Sequence, residues 1–140
     1  MKIKLEFFGS VAGGDPKIKI NTRHNTSEHF FEVKDGIFSI TDDIELSPVD
    51  EIRICFYDKI HIDNSSKDTY IDLKKLEIDD INLQHFILKG KFYPNYDENF
   101  YKEFSPPDFY QPGTTMYHNG VLVFKIKTPI WKFLMDSYYE

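Results

Sequence analysis

Apolar side chains recur at every second position in one segment after another of this 140-residue chain. That period is the strongest constraint on its fold, because successive side chains of an extended strand point to opposite faces of a sheet. Lys2-Ile3-Lys4-Leu5-Glu6-Phe7 puts Ile3, Leu5 and Phe7 on one face. Lys17-Ile18-Lys19-Ile20-Asn21 repeats the pattern after the turn cluster Gly13-Gly14-Asp15-Pro16. Phe30-Phe31-Glu32-Val33 reads as a further strand, and Asp35-Gly36 as a tight turn into Ile37-Phe38-Ser39-Ile40. The clearest strand runs from Glu51 to Tyr57, with Ile52, Ile54 and Phe56 on one side and Arg53, Cys55 and Tyr57 on the other.

Thr69 to Ile78 is again extended, but its phase shifts between Leu73 and Leu76, which predicts a bulge or short bend at Lys74-Lys75. Gln84 to Gly90 reads as a strand with Phe86 and Leu88 inward, and Val121 to Lys127 as the last strand, entered through an Asn119-Gly120 hairpin turn. Many short strands with no long helical period predict an all-β chain, an antiparallel β-sandwich of jelly-roll type in one domain over residues 1–140. At the C-terminus, Thr128 as cap and Pro129 at the first position predict a short helix whose stripe is Ile130, Trp131, Phe133 and Leu134. A final strand is the rival reading of that segment.

One stretch breaks the alternation. Lys91 to Asn119 holds nine aromatic residues and four of the chain's seven prolines within 29 residues. Proline fixes φ and removes a ladder donor, so this stretch is expected to be mostly an ordered loop. Loops of that length in compact domains are usually packed by their own side chains or functional. Two readings stay open: the rings cover one edge of the core, or they form an aromatic platform for a sugar or a partner protein. Tyr93, Tyr96, Tyr101, Tyr110 and Tyr117 are the candidate ligand-binding residues, since tyrosine combines an apolar body with a polar tip.

Composition excludes several function classes. A formal charge of −6 is repelled by phosphate backbones and by anionic membrane surfaces, so neither nucleic acid nor membrane is expected as a partner. Cys55 is the single cysteine, which rules out an intrachain disulfide and a multi-cysteine metal site. No signal-peptide core follows Met1, so the chain is expected to be made in a cytosol, and the sequons at Asn25 and Asn64 carry little weight. No phosphate-cradling glycine loop, His-Glu-x-x-His motif or nucleophile elbow is present, and the five histidines show no ligand spacing. No catalytic residue is assigned, and the chain is not expected to be an enzyme.

The loop after the Glu51–Tyr57 strand offers carboxylates at Asp58, Asp63 and Asp68 among Asn and Ser. Calcium takes about six to eight hard oxygens, and such a loop can supply them, although its spacing is not that of an EF-hand. A solvated polar loop and a cation site with Asp58, Asp63 and Asp68 as ligands are the two readings.

Val49 to Asp80 resembles the core of the calcium-dependent carbohydrate-binding modules of the xylan-binding β-sandwich type. In those families a strand ending in Phe-x-Asn-Asp is followed by a short loop and then Asp-Arg-Asn-Leu-x-Val-Asp. Ile52-Arg53-Ile54-Cys55-Phe56-Tyr57-Asp58 is similar to the first part, with Asp58 at the calcium-binding Asp and Tyr57 where the family has Asn. Lys67-Asp68-Thr69-Tyr70-Ile71-Asp72 is similar to the second. The resemblance implies a sandwich that binds glycans with the help of calcium and aromatic rings. A fainter likeness, carried by Phe92-Tyr93-Pro94, Tyr110-Gln111-Pro112-Gly113-Thr114 and His118-Asn119-Gly120, is to proteins of large marine tailed phages, which implies a virion setting. The expected function is therefore non-enzymatic carbohydrate binding. The alternative is a structural virion subunit, such as a decoration or fibre protein, whose aromatic loop forms an interface with a protein partner or by self-association.

Overall fold

The computed structural model of the chain describes residues 1–23, 29–60, 67–95, 107–111 and 114–138. Among the described residues, ten strands and one α-helix follow in order: β1 (Lys2–Ser10), β2 (Lys17–Thr22), β3 (Phe31–Glu32), β4 (Gly36–Asp43), β5 (Val49–Tyr57), β6 (Tyr70–Ile78), β7 (Ile81–Asn82), β8 (Lys91–Pro94), β9 (Thr115–Met116), β10 (Gly120–Lys127) and α1 (Ile130–Tyr138). Two antiparallel sheets result. The first has the order β4-β1-β6-β7, with β9 also paired to β6, and the second the order β3-β2-β5-β10-β8. The expected all-β sandwich with a short C-terminal helix is what forms.

The alternation read from the sequence buries the residues it selects. Ile3, Leu5 and Phe7 from β1 face Ile18, Ile20, Ile52, Ile54 and Phe56 from the other sheet, all between 0% and 1% exposed. Phe7 stacks on Phe38 of β4, with ring centroids 5.4 Å apart. Burying a side chain of this kind is worth roughly 1.5–3 kcal/mol, so the facing rows carry most of the favourable term in folding. The phase shift in β6 is a bulge: Glu6 pairs with Lys75 and Phe7 with Leu73, so Lys74 is the extra residue. That insertion lets Leu73 and Leu76 both point inward while Lys74 and Lys75 stay in water.

Several local expectations change. Gln84–Lys89 is a 3₁₀ helix, not a strand, and it buries Phe86 and Ile87 while Leu88 lies exposed. The Asn82 carboxamide accepts the Gln84 N–H at 2.7 Å, and Leu83 the Phe86 N–H at 2.8 Å. These bonds close turns where period two would need extended backbone. Asn119-Gly120 does not close a hairpin either, since β9 belongs to the first sheet and β10 to the second. The stretch from Lys91 onward, expected to be mostly loop, begins and ends in strands, and Phe92 is a core residue 2% exposed. In α1 the Phe133 N–H reaches the Pro129 carbonyl, and Ile130, Phe133 and Leu134 pack inward. Trp131 is exposed, one position round the helix from that face.

Candidate functional site

Two places gather residues singled out by the sequence. The first is the end of the sandwich where β5, β6 and β10 begin or finish. Asp58 ends β5 in a left-handed conformation (φ 60°), which turns the chain so that the Lys59 N–H meets the Asn119 carboxamide oxygen at 2.9 Å. Asn119 Nδ2 donates back to the Lys59 carbonyl at 3.3 Å, so this side chain spends its hydrogen bonds as a strand partner would. Ser10 Oγ donates to the Asp68 carbonyl at 2.8 Å, and the buried Thr69 hydroxyl accepts the Ala12 N–H at 2.9 Å. Beside them, Lys67 at 2.7 Å, reinforced by the Val11 N–H, holds the Asp35 carboxyl below its usual range.

Two carboxylates of this corner, Asp35 and Asp68, are engaged. The Lys59 ammonium, whose side chain is 9% exposed, lies 3.0 Å from Asp68 Oδ1 and 3.2 Å from Oδ2, and it also donates to the Tyr117 carbonyl. Asp68 Oδ1 accepts the Thr69 N–H as well, at 2.9 Å. A calcium ion there would replace none of these bonds and would stand against an ammonium. Asp63 lies outside the described residues, and among the described residues no group of three or more His, Cys, Asp or Glu could hold a metal ion. Asp68 is thus taken up by an ammonium and a backbone N–H, and that lysine ties the corner together.

A first prediction follows from that pair. Lys59→Met keeps the aliphatic stem and removes the charge, and should cost about 1–2 kcal/mol, less than a fully buried pair because Asp68 is half exposed. Thermal melting reads it directly. A chelator should leave the wild-type midpoint in place, and a drop of several degrees with chelator would show that a metal does the tying.

The aromatic candidates separate into two groups. Tyr117 packs on Tyr70 (5.3 Å between centroids), which packs on Phe8 (6.3 Å), so these three rings form a row on the outer face of the first sheet. Tyr93 and Tyr110 belong to the opposite sheet. Tyr110 exchanges both backbone hydrogen bonds with Phe92, at 2.9 and 3.0 Å, and so covers the outer edge of β8. Tyr96 and Tyr101 lie outside the described residues. Of the described tyrosines, Tyr117 packs against the first sheet, whereas Tyr93 and Tyr110 lie on the second.

Tyr93 lines the second place, a groove of about 290 Å³ at the β8–β10 edge of the second sheet. Its floor is the outward row of Lys91 and Tyr93 from β8, Val123 and Lys125 from β10, and Glu51 from β5. Phe86 and Lys89 of the 3₁₀ helix, Phe124 of β10 and Phe133 of α1 complete the lining, and the Phe86 and Phe133 rings stack at 4.7 Å. Tyr93 is 42% exposed and leans on Phe109. Nothing in the sequence marks this groove, because its residues come from five separated segments. On the same outer face, Cys55 is buried among strand neighbours, and that burial pushes its thiol up, which keeps it protonated and inert at neutral pH.

No protein-family model matches the sequence, and no curated protein matches it significantly. Two solved structures do match by fold. One is a module designated vCBM60 in complex with galactobiose, at a TM-score of 0.57 and 13% identity, covering 90% of this chain and 100% of that one. The other is a selenomethionine form of vCBM60, described as linking two families of calcium-dependent carbohydrate binding modules by circular permutation. It aligns at a TM-score of 0.60 and 12% identity over 88% of each chain. At such identities the likeness is one of fold, and the expected sandwich of carbohydrate-module type is the fold found.

Proposed function

We propose that this chain is a non-catalytic carbohydrate-binding module that holds a saccharide in the groove beside Tyr93. The observation that carries the reading is a concave, partly apolar site with an exposed tyrosine ring, built on a sandwich of the same fold as two carbohydrate-binding modules. Small-ligand sites are typically concavities from about 300 Å³ upward with a few convergent polar groups, and the groove is of that order. A pyranose offers a C–H face to a ring and hydroxyls around its rim. Tyr93 supplies the negative face of its π system for the first, and the lysine ammoniums and the tyrosine hydroxyl supply donors for the second. Because Lys59 engages Asp68, binding in this reading proceeds without calcium at Asp68.

Titration of Tyr93→Ala against wild type over a panel of soluble oligosaccharides tests it. Tyr93 is an outward residue on an edge strand, so its truncation should leave the melting midpoint nearly unchanged and weaken binding at least about tenfold, or about 1.4 kcal/mol. Equal affinity of the two proteins for every saccharide would overturn the reading.

The structural-subunit alternative is favoured by a different observation. Phe8, Tyr70 and Tyr117, together with Ile37 at 72% exposure, leave an apolar row open on the first sheet. That use predicts concentration-dependent association of the free chain, which sedimentation measures; a monomer at high concentration would refute it.

A further inference from the structure

We infer that the groove beside Tyr93 selects an acidic saccharide, one carrying a uronate carboxylate, over a neutral one. The inference rests on the carbohydrate-binding reading above and names the ligand class of that same site. Its warrant is the charge inside the groove. Lys89, Lys91 and Lys125 all line it, from three different segments, in a chain whose overall charge is −6. The one carboxylate among the lining residues, Glu51, is held by Arg53, with its Oε2 3.0 Å from Nη2 and 3.3 Å from Nε. None of the three groove lysines has a carboxylate partner among the described residues, although most other lysines with resolved contacts on this surface do: Lys4, Lys17, Lys59, Lys67, Lys74 and Lys75 each face an Asp or Glu. Where carboxylates outnumber ammoniums, three lysines lining one concavity, without a carboxylate partner among the described residues, leave a local positive field that an anion would neutralise.

Two of the three are also held in position. Lys91 Nζ rests 4.8 Å from the centroid of the Phe109 ring, and Lys89 Nζ 5.4 Å from that of Phe86. Ring contacts of this kind hold an ammonium without quenching its charge, since a ring quadrupole donates no formal negative charge. The flexible stems are thereby partly ordered before any ligand arrives, which lowers the entropy lost on binding. Tyr93 lies two positions from Lys91 in the same outward row of β8, so a sugar ring laid on it would present an exocyclic carboxylate to the ammoniums. A planar carboxylate with two acceptor oxygens can bridge two of them through charge-assisted hydrogen bonds, which are roughly twice as strong as neutral ones.

The test is calorimetric titration of the full chain with a galacturonate oligomer, its methyl-esterified form, a neutral galactose oligomer and a sulfated oligosaccharide, each at two salt concentrations. The galacturonate oligomer should bind about tenfold or more tighter than its ester, and its affinity should fall as salt rises. Lys91→Gln and Lys125→Gln, made separately so that loss of the Phe109 contact cannot account for both, should each reduce that preference with unchanged melting. If ester and acid bind alike, or both lysine variants keep wild-type preference, the acidic selectivity is wrong while carbohydrate binding stands. If the sulfated oligomer binds as tightly as the uronate, the assignment to carboxylate is overturned in favour of a general anion site. If no saccharide binds, the carbohydrate reading falls and this inference with it.

Discussion

Asp50→Ala is expected to cost about 3 kcal/mol and to lower the melting midpoint by roughly 10 °C in a chain of this size. Asp50 is 2% exposed at the start of β5, and its carboxylate accepts three backbone N–H groups: Arg23 at 2.8 Å, Ser47 at 2.8 Å and Glu51 at 2.7 Å. Those donors belong to the end of β2, the loop before β5 and β5 itself, so one side chain ties three segments of the second sheet's rim. Alanine leaves the donors with no acceptor at that position, and each such loss runs to about 1–3 kcal/mol when water cannot reach the group. The sum is set near the lower end because loop residues can shift toward solvent and because the carboxylate's own desolvation is relieved. Asp50→Asn separates the causes: it keeps one oxygen and brings two N–H donors against donors, so it should cost about half as much. Denaturant unfolding of both variants gives the numbers, and an alanine variant within 1 kcal/mol of wild type would refute the account.

Asp50 also shows why the sandwich could be read from the sequence and its fastenings could not. Period two selected Ile3, Leu5, Phe7, Ile52, Ile54 and Phe56, and every one is in the core, because alternation is a property of single strands and needs no knowledge of partners. The Lys74 bulge was legible for the same reason, as a one-residue slip in phase. Partner choice was not. Asn119-Gly120 has the composition of a hairpin turn, yet Asn119 bonds Lys59, 60 positions away. Asp79-Asp80 reads as nothing more than an acidic pair, yet both adopt left-handed conformations (φ 49° and 64°) and close the tight turn between β6 and β7. At Gln84 a short apolar run fits strand and helix alike, and side-chain hydrogen bonds decided it. Candidate sites fared as geometry required. Asp68 is met by a lysine, Lys59, the residue after Asp58. A lysine within a carboxylate-rich loop was the available sign that Asp68 has an internal partner. The lysines of the Tyr93 groove left no sign, since Lys89, Lys91 and Lys125 meet only after β8 and β10 pair.

Gly120→Ala should join stability to binding in one measurement. Gly120 opens β10 and pairs with Pro94, the last residue of β8, while the Asn95 N–H bonds the Asn119 carbonyl at 2.6 Å. A Cβ built on Gly120 overlaps the Tyr93 carbonyl oxygen and stands 2.9 Å from Pro94 Cα and 3.0 Å from the Phe92 ring. Two of those neighbours are backbone atoms, which cannot rotate away as a side chain can. β8 must therefore retreat from β10, and overpacking of this kind costs about 1–3 kcal/mol. The lower part of that range is expected here, because β8 is an edge strand held on its other side only through Tyr110 among the described residues and so gives way readily. Retreat of β8 carries Lys91 and Tyr93 away from Val123 and Lys125, so the groove opens and saccharide affinity should fall about tenfold. Gly36→Ala is the matched control. Gly36 has open space around it but a φ of +81°, so alanine there strains the backbone at the far edge of the other sheet. It should cost about 1 kcal/mol and leave binding intact. A Gly120 variant that loses stability and still binds as wild type would place the sugar away from the β8–β10 edge, whereas loss of binding in both variants would trace the effect to global destabilisation.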